Sequence, residues 1–288
     1  MIAVSALGAG AWGVSDLDAR IAAHPPRPQP APGQAAPEEV TYRSGPYTLK
    51  GRLYKPQGKG PFPAILWNHG SEKTPGPQPE LAAFYNGKGF VLFTPMRHGH
   101  GGQPGDYIVD LNNQLFEKFK DNEEEAFRRM VPFHDVYNKD VAAAMEWLKA
   151  QPFVDKNRII ITGVSYGGIQ TLVSAEKGMG ARGFVSFAPA AMSWKMVPLR
   201  ERLLEAIANA KAPIFLLQAA NDYSTGPVEV LGAAIEKKGA PNRARLYPAF
   251  GPMDNHQMGH GSFATWNIGT EIWGPDVLAF IDSVFRSR

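Results

Sequence analysis

The sequence predicts an α/β protein: a mainly parallel sheet covered by helices on both faces. Two observations point there. Short runs such as "FPAILWN", "FVLFTP" and "RIIITG" are apolar from end to end, and they alternate with longer segments of helical periodicity. A strand apolar on both sides of its pleat needs cover on both sides, and the intervening helices supply it. The chain of 288 residues suits one or two domains and shows no internal repeat.

Taken in order, the first stretch, "MIAVSALGAGAWGVSDLDA", is small and apolar. It has the character of part of a secretory h-region without the basic segment that normally precedes one; an N-terminal helix or a tail is the alternative. Residues 24–37, "HPPRPQPAPGQAAP", are dense in proline and read as a semi-rigid linker, so the globular domain is expected from Glu38 to 288. "EVTYRS" and "YTLKGRLYKP" read as two edge strands of a hairpin. "FPAILWN" is a buried strand, "PELAAFYNGKG" a helix closed by glycine, and "FVLFTP" a second buried strand. Residues 106–133 break the rhythm and read as one or two extra helices, either a lid or a packing elaboration. "HDVYNKDVAAAMEWLKAQ" carries a helical stripe at Val136, Val141, Met145 and Leu148. "RIIITG" is the third buried strand and a helix opens at Ser165. "GFVSFAP", "APIFLLQAA" and "ARLYPAF" are further strands, with helices at "VPLRERLLEAIANA", "PVEVLGAAIEKKG" and "GPDVLAFIDSVFRS".

Composition narrows the function. Hydrophobic residues make up 44% and charged residues 20%, ordinary for a globular protein. The formal charge of +3 is scattered, with no basic run, which argues against a nucleic-acid partner. No apolar run approaches the roughly 20 residues of a membrane span. Cysteine is absent, which removes disulfides, thiolate nucleophiles and cysteine-type zinc sites. The sequence leaves compartment and oligomeric state open.

"GVSYGG" carries the chemistry. Gly163-Val164-Ser165-Tyr166-Gly167 follows a predicted strand and opens a predicted helix, the context in which a sharp turn holds a serine hydroxyl out at the sheet edge. The small residues two before and two after the serine let the backbone approach closely, and the helix N-terminus favours negative charge. A glycine-rich turn whose serine only caps the helix is the plainer reading. A serine needs a base and an oriented imidazole. Asp222 follows the strand "APIFLLQAA" and is the expected acid, its other reading being a helix cap; Glu229 fits less well. In "RLYPAFGPMDNHQMGHGSFA", His260 between two glycines is preferred to His256 as the base, and Asp254 has no assigned role. Oxyanion donors are expected at the backbone N–H of Tyr166 and at Gly70 or Ser71 in "NHGS", with His69 bracing that loop. "MRHGHGGQPG" offers His98 and His100 but neither a third metal ligand nearby nor a phosphate-loop lysine, so a glycine-rich loop at the pocket mouth is preferred and no metal is expected.

On these motifs the chain from 38 to 288 resembles the α/β-hydrolase superfamily, and within it the dienelactone-hydrolase-like branch. "LWNHGS", "RHGHGGQPG", "GVSYGG", "AANDYS" and "GHGSF" carry the resemblance. It implies the α/β-hydrolase fold with an eight-stranded, mainly parallel sheet, and a cofactor-independent hydrolase of carboxylic esters or lactones acting on a small-molecule substrate. The branch departs in one respect: authentic dienelactone hydrolases use a cysteine nucleophile, and the matching position here is Ser165. A serine esterase is therefore expected, with the insertion at 106–133 reshaping the pocket. Rival readings are a serine peptidase of prolyl-oligopeptidase type and a non-catalytic binder that keeps the fold. Trp194, Met192 and Met196 are either pocket lining or core packing.

Overall fold

The computed structural model describes residues 36–287. The expectations for the N-terminal stretch and nearly all of the proline-rich segment therefore lie outside the described residues. Eight strands form one open sheet: β1 (Glu38–Ser44), β2 (Tyr47–Tyr54), β3 (Phe62–Asn68), β4 (Val91–Pro95), β5 (Val154–Val164), β6 (Gly183–Phe187), β7 (Ile214–Ala219) and β8 (Arg243–Tyr247). Their order is β1-β2-β4-β3-β5-β6-β7-β8. β2 pairs antiparallel with β1 and with β4, and every other pairing is parallel. The expected hairpin is present, but β2 is hydrogen-bonded on both sides, so only β1 lies at the edge.

The helices are α1 (Pro79–Gly87), α2 (Ile108–Lys118), α3 (Glu123–Lys149), α4 (Tyr166–Lys177), α5 (Val197–Ala208), α6 (Gly232–Glu236), α7 (Phe263–Thr265) and α8 (Asn267–Arg286). They cover the sheet on both faces, and the alternation along β5 shows why its run is wholly apolar. Ile159 and Ile161 pack on one face with Tyr137, Val141 and Met145 of α3 and Ile169 and Leu172 of α4. Ile160, between them, packs on the other face with Leu81 of α1 and Val277, Phe280 and Ile281 of α8. Both faces lose water, so both registers of the strand must be apolar.

Besides α8, which starts at Asn267 and runs through Pro275 instead of starting at Gly274, two segments differ from the sequence expectation. The insertion does not end at 133 before a separate helix; α3 runs through Pro132 as one helix of 27 residues. A proline inside a helix costs about 3 kcal/mol. Pro132 and Arg128, whose carbonyl loses its partner, are both exposed, so water can satisfy that carbonyl. Ala126, Phe127 and Met130 before the proline and Tyr137 and Val141 after it hold both halves against the core. Asn122 caps the start, accepting from the Glu125 N–H at 3.1 Å, and three glutamates fill the first turn. The second difference lies at 227–236, where a π-helical turn, Pro227–Leu231, precedes the short α6. Among the described residues no helix is long and apolar enough to cross a membrane.

The sheet order positions the site. β3 and β5 are neighbours in its middle, yet the chain leaves β3 toward β4 and leaves β5 toward β6. Connections departing in opposite directions open a crevice at the carboxyl ends of these two strands.

Candidate active site

At the end of β5, Ser165 has φ 59° and ψ −120°, a conformation that costs a non-glycine residue on the order of 1–3 kcal/mol. The flanking glycines make it attainable. A Cβ at Gly163 would lie 2.6 Å from Asn68 O, and one at Gly167 would lie 2.0 Å from the same atom. The turn is thus pressed against the end of β3 with no room for a side chain on either side of Ser165. The Ser165 N–H donates to Phe187 O at 3.0 Å, and α4 starts at the next residue.

Asp222 follows β7 and His260 lies in a π-helical turn, Met258–Ser262. Both are buried. The His260 Nδ1–H donates to Asp222 Oδ1 at 2.8 Å. The carboxylate is itself held: Gln218 Nε2 donates to Oδ2 at 2.7 Å and the Tyr223 N–H to Oδ1 at 2.7 Å. Gln218 is fixed in turn by accepting from the Val228 N–H. Neighbouring Asn221 donates to Phe250 O, Pro252 O and Asn255 O and accepts from the Phe250 N–H, so it pins the loop that leads to His260. With Nδ1 committed to the carboxylate, His260 Nε2 is buried and has no hydrogen-bond partner among the described residues. His260 and Ser165 line the same cavity, of about 380 Å³, together with Gly70 and Ser71. The exposed His256 instead places Nδ1 3.1 Å from Asn221 O and lies outside that cavity, as does Asp254.

The loop after β3 faces this pair. A Cβ at Gly70 would lie 3.6 Å from Ser165 Cβ. Among the described residues the N–H groups of Gly70 and Ser71 donate to no backbone carbonyl. That of Tyr166 sits in the first turn of α4, where helical N–H groups have no intrahelical partner. Among the described residues three backbone N–H groups near Ser165 thus have no backbone acceptor.

Arg97, which the sequence reading passed over, holds this arrangement from below. It is 1% exposed and forms no ion pair among the described residues. Its Nη2 donates to His69 O at 2.8 Å and Gly70 O at 2.7 Å. Its guanidinium lies 4.9 Å from the ring centre of Tyr166. One buried cation thus touches both the β3 loop and the residue after Ser165. Burial, then the Arg97 charge, pushes the His69 pKa well below the usual range. A neutral His69 donating from Nδ1 to Gly70 O (2.8 Å) accepts the Arg97 N–H at Nε2 (3.3 Å), which makes His69 a brace of the loop.

Other expectations are corrected. The loop 96–105 is not at the mouth of the Ser165 cavity. Gly99, Gly102 and Gly105 line a separate cavity of about 450 Å³ beside Tyr107 and Asp110. His98 and His100 are buried. His98 Nδ1 lies 2.5 Å from Asp140 Oδ2, and Ser44 Oγ donates to Asp140 Oδ1 at 2.6 Å, so this histidine ties β1, the loop and α3 together. Among the described residues no group of three or more His, Asp or Glu side chains is placed to hold a metal ion. No residue of 106–133 lines the Ser165 cavity; the insertion reaches it only through Tyr107, whose hydroxyl donates to Ser71 O. Met192 lines the cavity, Met196 is buried in the core, and Trp194 packs against Gly226.

Comparison with known proteins agrees with the fold. A model of the dienelactone hydrolase family matches residues 78–256. The chain is 29% identical over 150 residues to the uncharacterized peptidase YtmA of Bacillus subtilis, covering 51% of this chain and 49% of that one. It thus spans about half the length of the curated relative it matches. Among solved structures, the acylaminoacyl peptidase of Pyrococcus horikoshii superposes with a TM-score of 0.61 at 18% identity, over 85% of this chain and 41% of that chain. An esterase of Pyrococcus furiosus superposes with a TM-score of 0.59 at 16% identity, over 96% of this chain and 95% of that chain.

Proposed function

The chain belongs to the dienelactone hydrolase family, and within it we propose that it is a serine hydrolase cleaving carboxylic esters or lactones through an acyl-enzyme. Ser165 is the nucleophile, His260 the base and Asp222 its orienting carboxylate. One observation carries this reading: His260 has Nδ1 bound to Asp222 and a buried Nε2, unpartnered among the described residues, in the cavity that Ser165 lines.

The chemistry follows from the geometry. His260 Nε2 takes the Ser165 proton as Oγ attacks the carbonyl carbon. Asp222 keeps the tautomer that leaves Nε2 free and stabilises the imidazolium that forms. The N–H of Tyr166 and those of Gly70 and Ser71 receive the oxyanion. When the tetrahedral centre collapses, the imidazolium protonates the leaving alcohol. Water then enters, gives its proton to His260 and attacks the acyl-enzyme, and the carboxylic acid leaves as Ser165 regains its hydrogen. No step calls for a cofactor.

A second reading, a serine peptidase or amidase, is favoured by the YtmA relative, which is named as a peptidase. Rates on p-nitrophenyl butyrate against prolyl and aminoacyl p-nitroanilides separate the two. The ester reading predicts faster ester cleavage after correction for intrinsic reactivity, lost in Ser165→Ala by a factor on the order of 10⁴ or more. Amide cleavage exceeding ester cleavage on that scale would favour the peptidase.

A further inference from the structure

The cavity at Ser165 is lined by one formally charged side chain, exposed at its rim, which acts on the buried Arg97 through space but makes no hydrogen bond or ion pair among the described residues. Glu72 lines it beside Trp67, Met192 and Trp266. Its carboxylate lies back over the β3 loop, with Oε2 2.6 Å from where a Cβ of Gly70 would be, a point itself 3.6 Å from Ser165 Cβ. Among the described residues it makes no hydrogen bond or ion pair. The neighbouring cations are otherwise engaged. Lys73 lies 3.7 Å from Asp110 and above the Tyr107 ring, at the separate cavity. Arg97 is sealed beneath the loop with its contacts on His69, Gly70 and Tyr166, and it feels the Glu72 charge only through space. The other acid of the site, Asp222, is buried and bound to His260, Gln218 and Tyr223.

A carboxylate here, offset only through space by Arg97 beneath the loop, works against the reaction proposed above. Negative charge develops on the substrate oxygen beside Gly70, and a second negative charge a few ångströms away raises the cost of reaching that state. A positive group on the substrate reverses the sign, because it pairs with Glu72 while the oxyanion forms. The position limits where that group sits. A carboxylate so near the oxyanion donors meets an ammonium carried on the carbon next to the carbonyl.

We propose that Glu72 selects substrates with a protonated amine next to the scissile carbonyl, so that the substrate class is α-aminoacyl esters, with the corresponding amides as slower substrates. This rests on the assignment of Ser165 as nucleophile and of the β3 loop as oxyanion donor. It also gives one account of a hydrolase fold shared with both esterases and peptidases: selection acts on the acyl group, not on the leaving group.

A matched pair of esters tests it. The β-naphthyl esters of alanine and of isobutyric acid differ only in an ammonium replaced by a methyl group. kcat/KM for each, divided by its uncatalysed hydrolysis rate, is measured at low salt below the pKa of the amine. The wild-type chain is expected to favour the alanyl ester by about two- to fivefold, the size of one exposed ion pair. Glu72→Gln is expected to abolish the preference and Glu72→Lys to reverse it. Raising the pH above the amine pKa is expected to erase the wild-type preference. An alanyl-to-isobutyryl ratio unchanged by Glu72→Gln overturns the proposal. If turnover depends on Ser165 while the ratio ignores Glu72, only the selection by Glu72 falls. If Ser165→Ala turns over both esters at the wild-type rate, the nucleophile assignment falls and takes the selection with it.

Discussion

Gly167 has no room for a side chain, because a Cβ there would lie 2.0 Å from the carbonyl oxygen of Asn68. Gly167→Ala must move the turn away from β3, and overpacking of this kind costs about 1–3 kcal/mol. Urea denaturation should show that loss, with activity falling as the Ser165 hydroxyl shifts. Unchanged stability would mean that the turn is not as tightly pressed as described. Asp222→Asn makes a different test at the same scale. An amide in place of the carboxylate can present its NH₂ to Nδ1, which stabilises the tautomer with the proton on Nε2. Turnover should fall by a factor of about 10⁴ with little change in melting temperature. The candidate residues Ser165, Asp222 and His260 were legible because each lies beyond a predicted strand and has the chemistry that the proposed reaction calls for. Glu72 and Arg97 were not. Their significance lies in what they touch, or fail to touch, across the loop after β3, and no spacing in the sequence records that.

At the scale of elements, the loop after β3 is held from two sides. Arg97 grips the carbonyls of His69 and Gly70, and Tyr107, at the start of α2, grips that of Ser71. Arg97→Gln removes the charge and the double donation but keeps a polar side chain. Misplacing an oxyanion donor should lower kcat about 10- to 100-fold, with KM for a short ester little changed. Equal loss in kcat/KM and melting temperature with kcat unaltered would reduce Arg97 to a packing residue. The insertion was legible as extra helix, but its boundary was not. Sequence rules stop a helix at Pro132, whereas the burial of Phe127, Met130, Tyr137 and Val141 along one face outweighs the single lost hydrogen bond. The short helices at 227–236 and 258–265 likewise take π-helical turns that local composition does not announce.

The whole molecule carries histidines buried without charge, and they set its response to acid. His134 is 5% exposed, neither ring nitrogen has a hydrogen-bond partner among the described residues, and burial lowers its pKa to about 4. Burial lowers that of His100 to about 3. In the unfolded chain both titrate near 6.5, so between these values the unfolded state holds more protons. Their contribution is complete above about pH 6.5 and is lost as pH falls toward 4, by roughly 3 kcal/mol for His134. The drop in urea midpoint between pH 7 and pH 4 should therefore be smaller in His134→Phe than in the wild-type chain; identical drops would contradict the neutral state of this imidazole. The layered architecture was the most legible feature of all, since strands apolar in both registers demand two helical layers. The account as a whole turns on a single hydroxyl, and reaction with a fluorophosphonate probe tests it most directly. Intact mass and peptide mapping should show one adduct, on Ser165, that is absent from folded Ser165→Ala and much slower to form in His260→Ala. An adduct that persists in Ser165→Ala at the wild-type rate, or a folded wild-type chain that does not react, would contradict it.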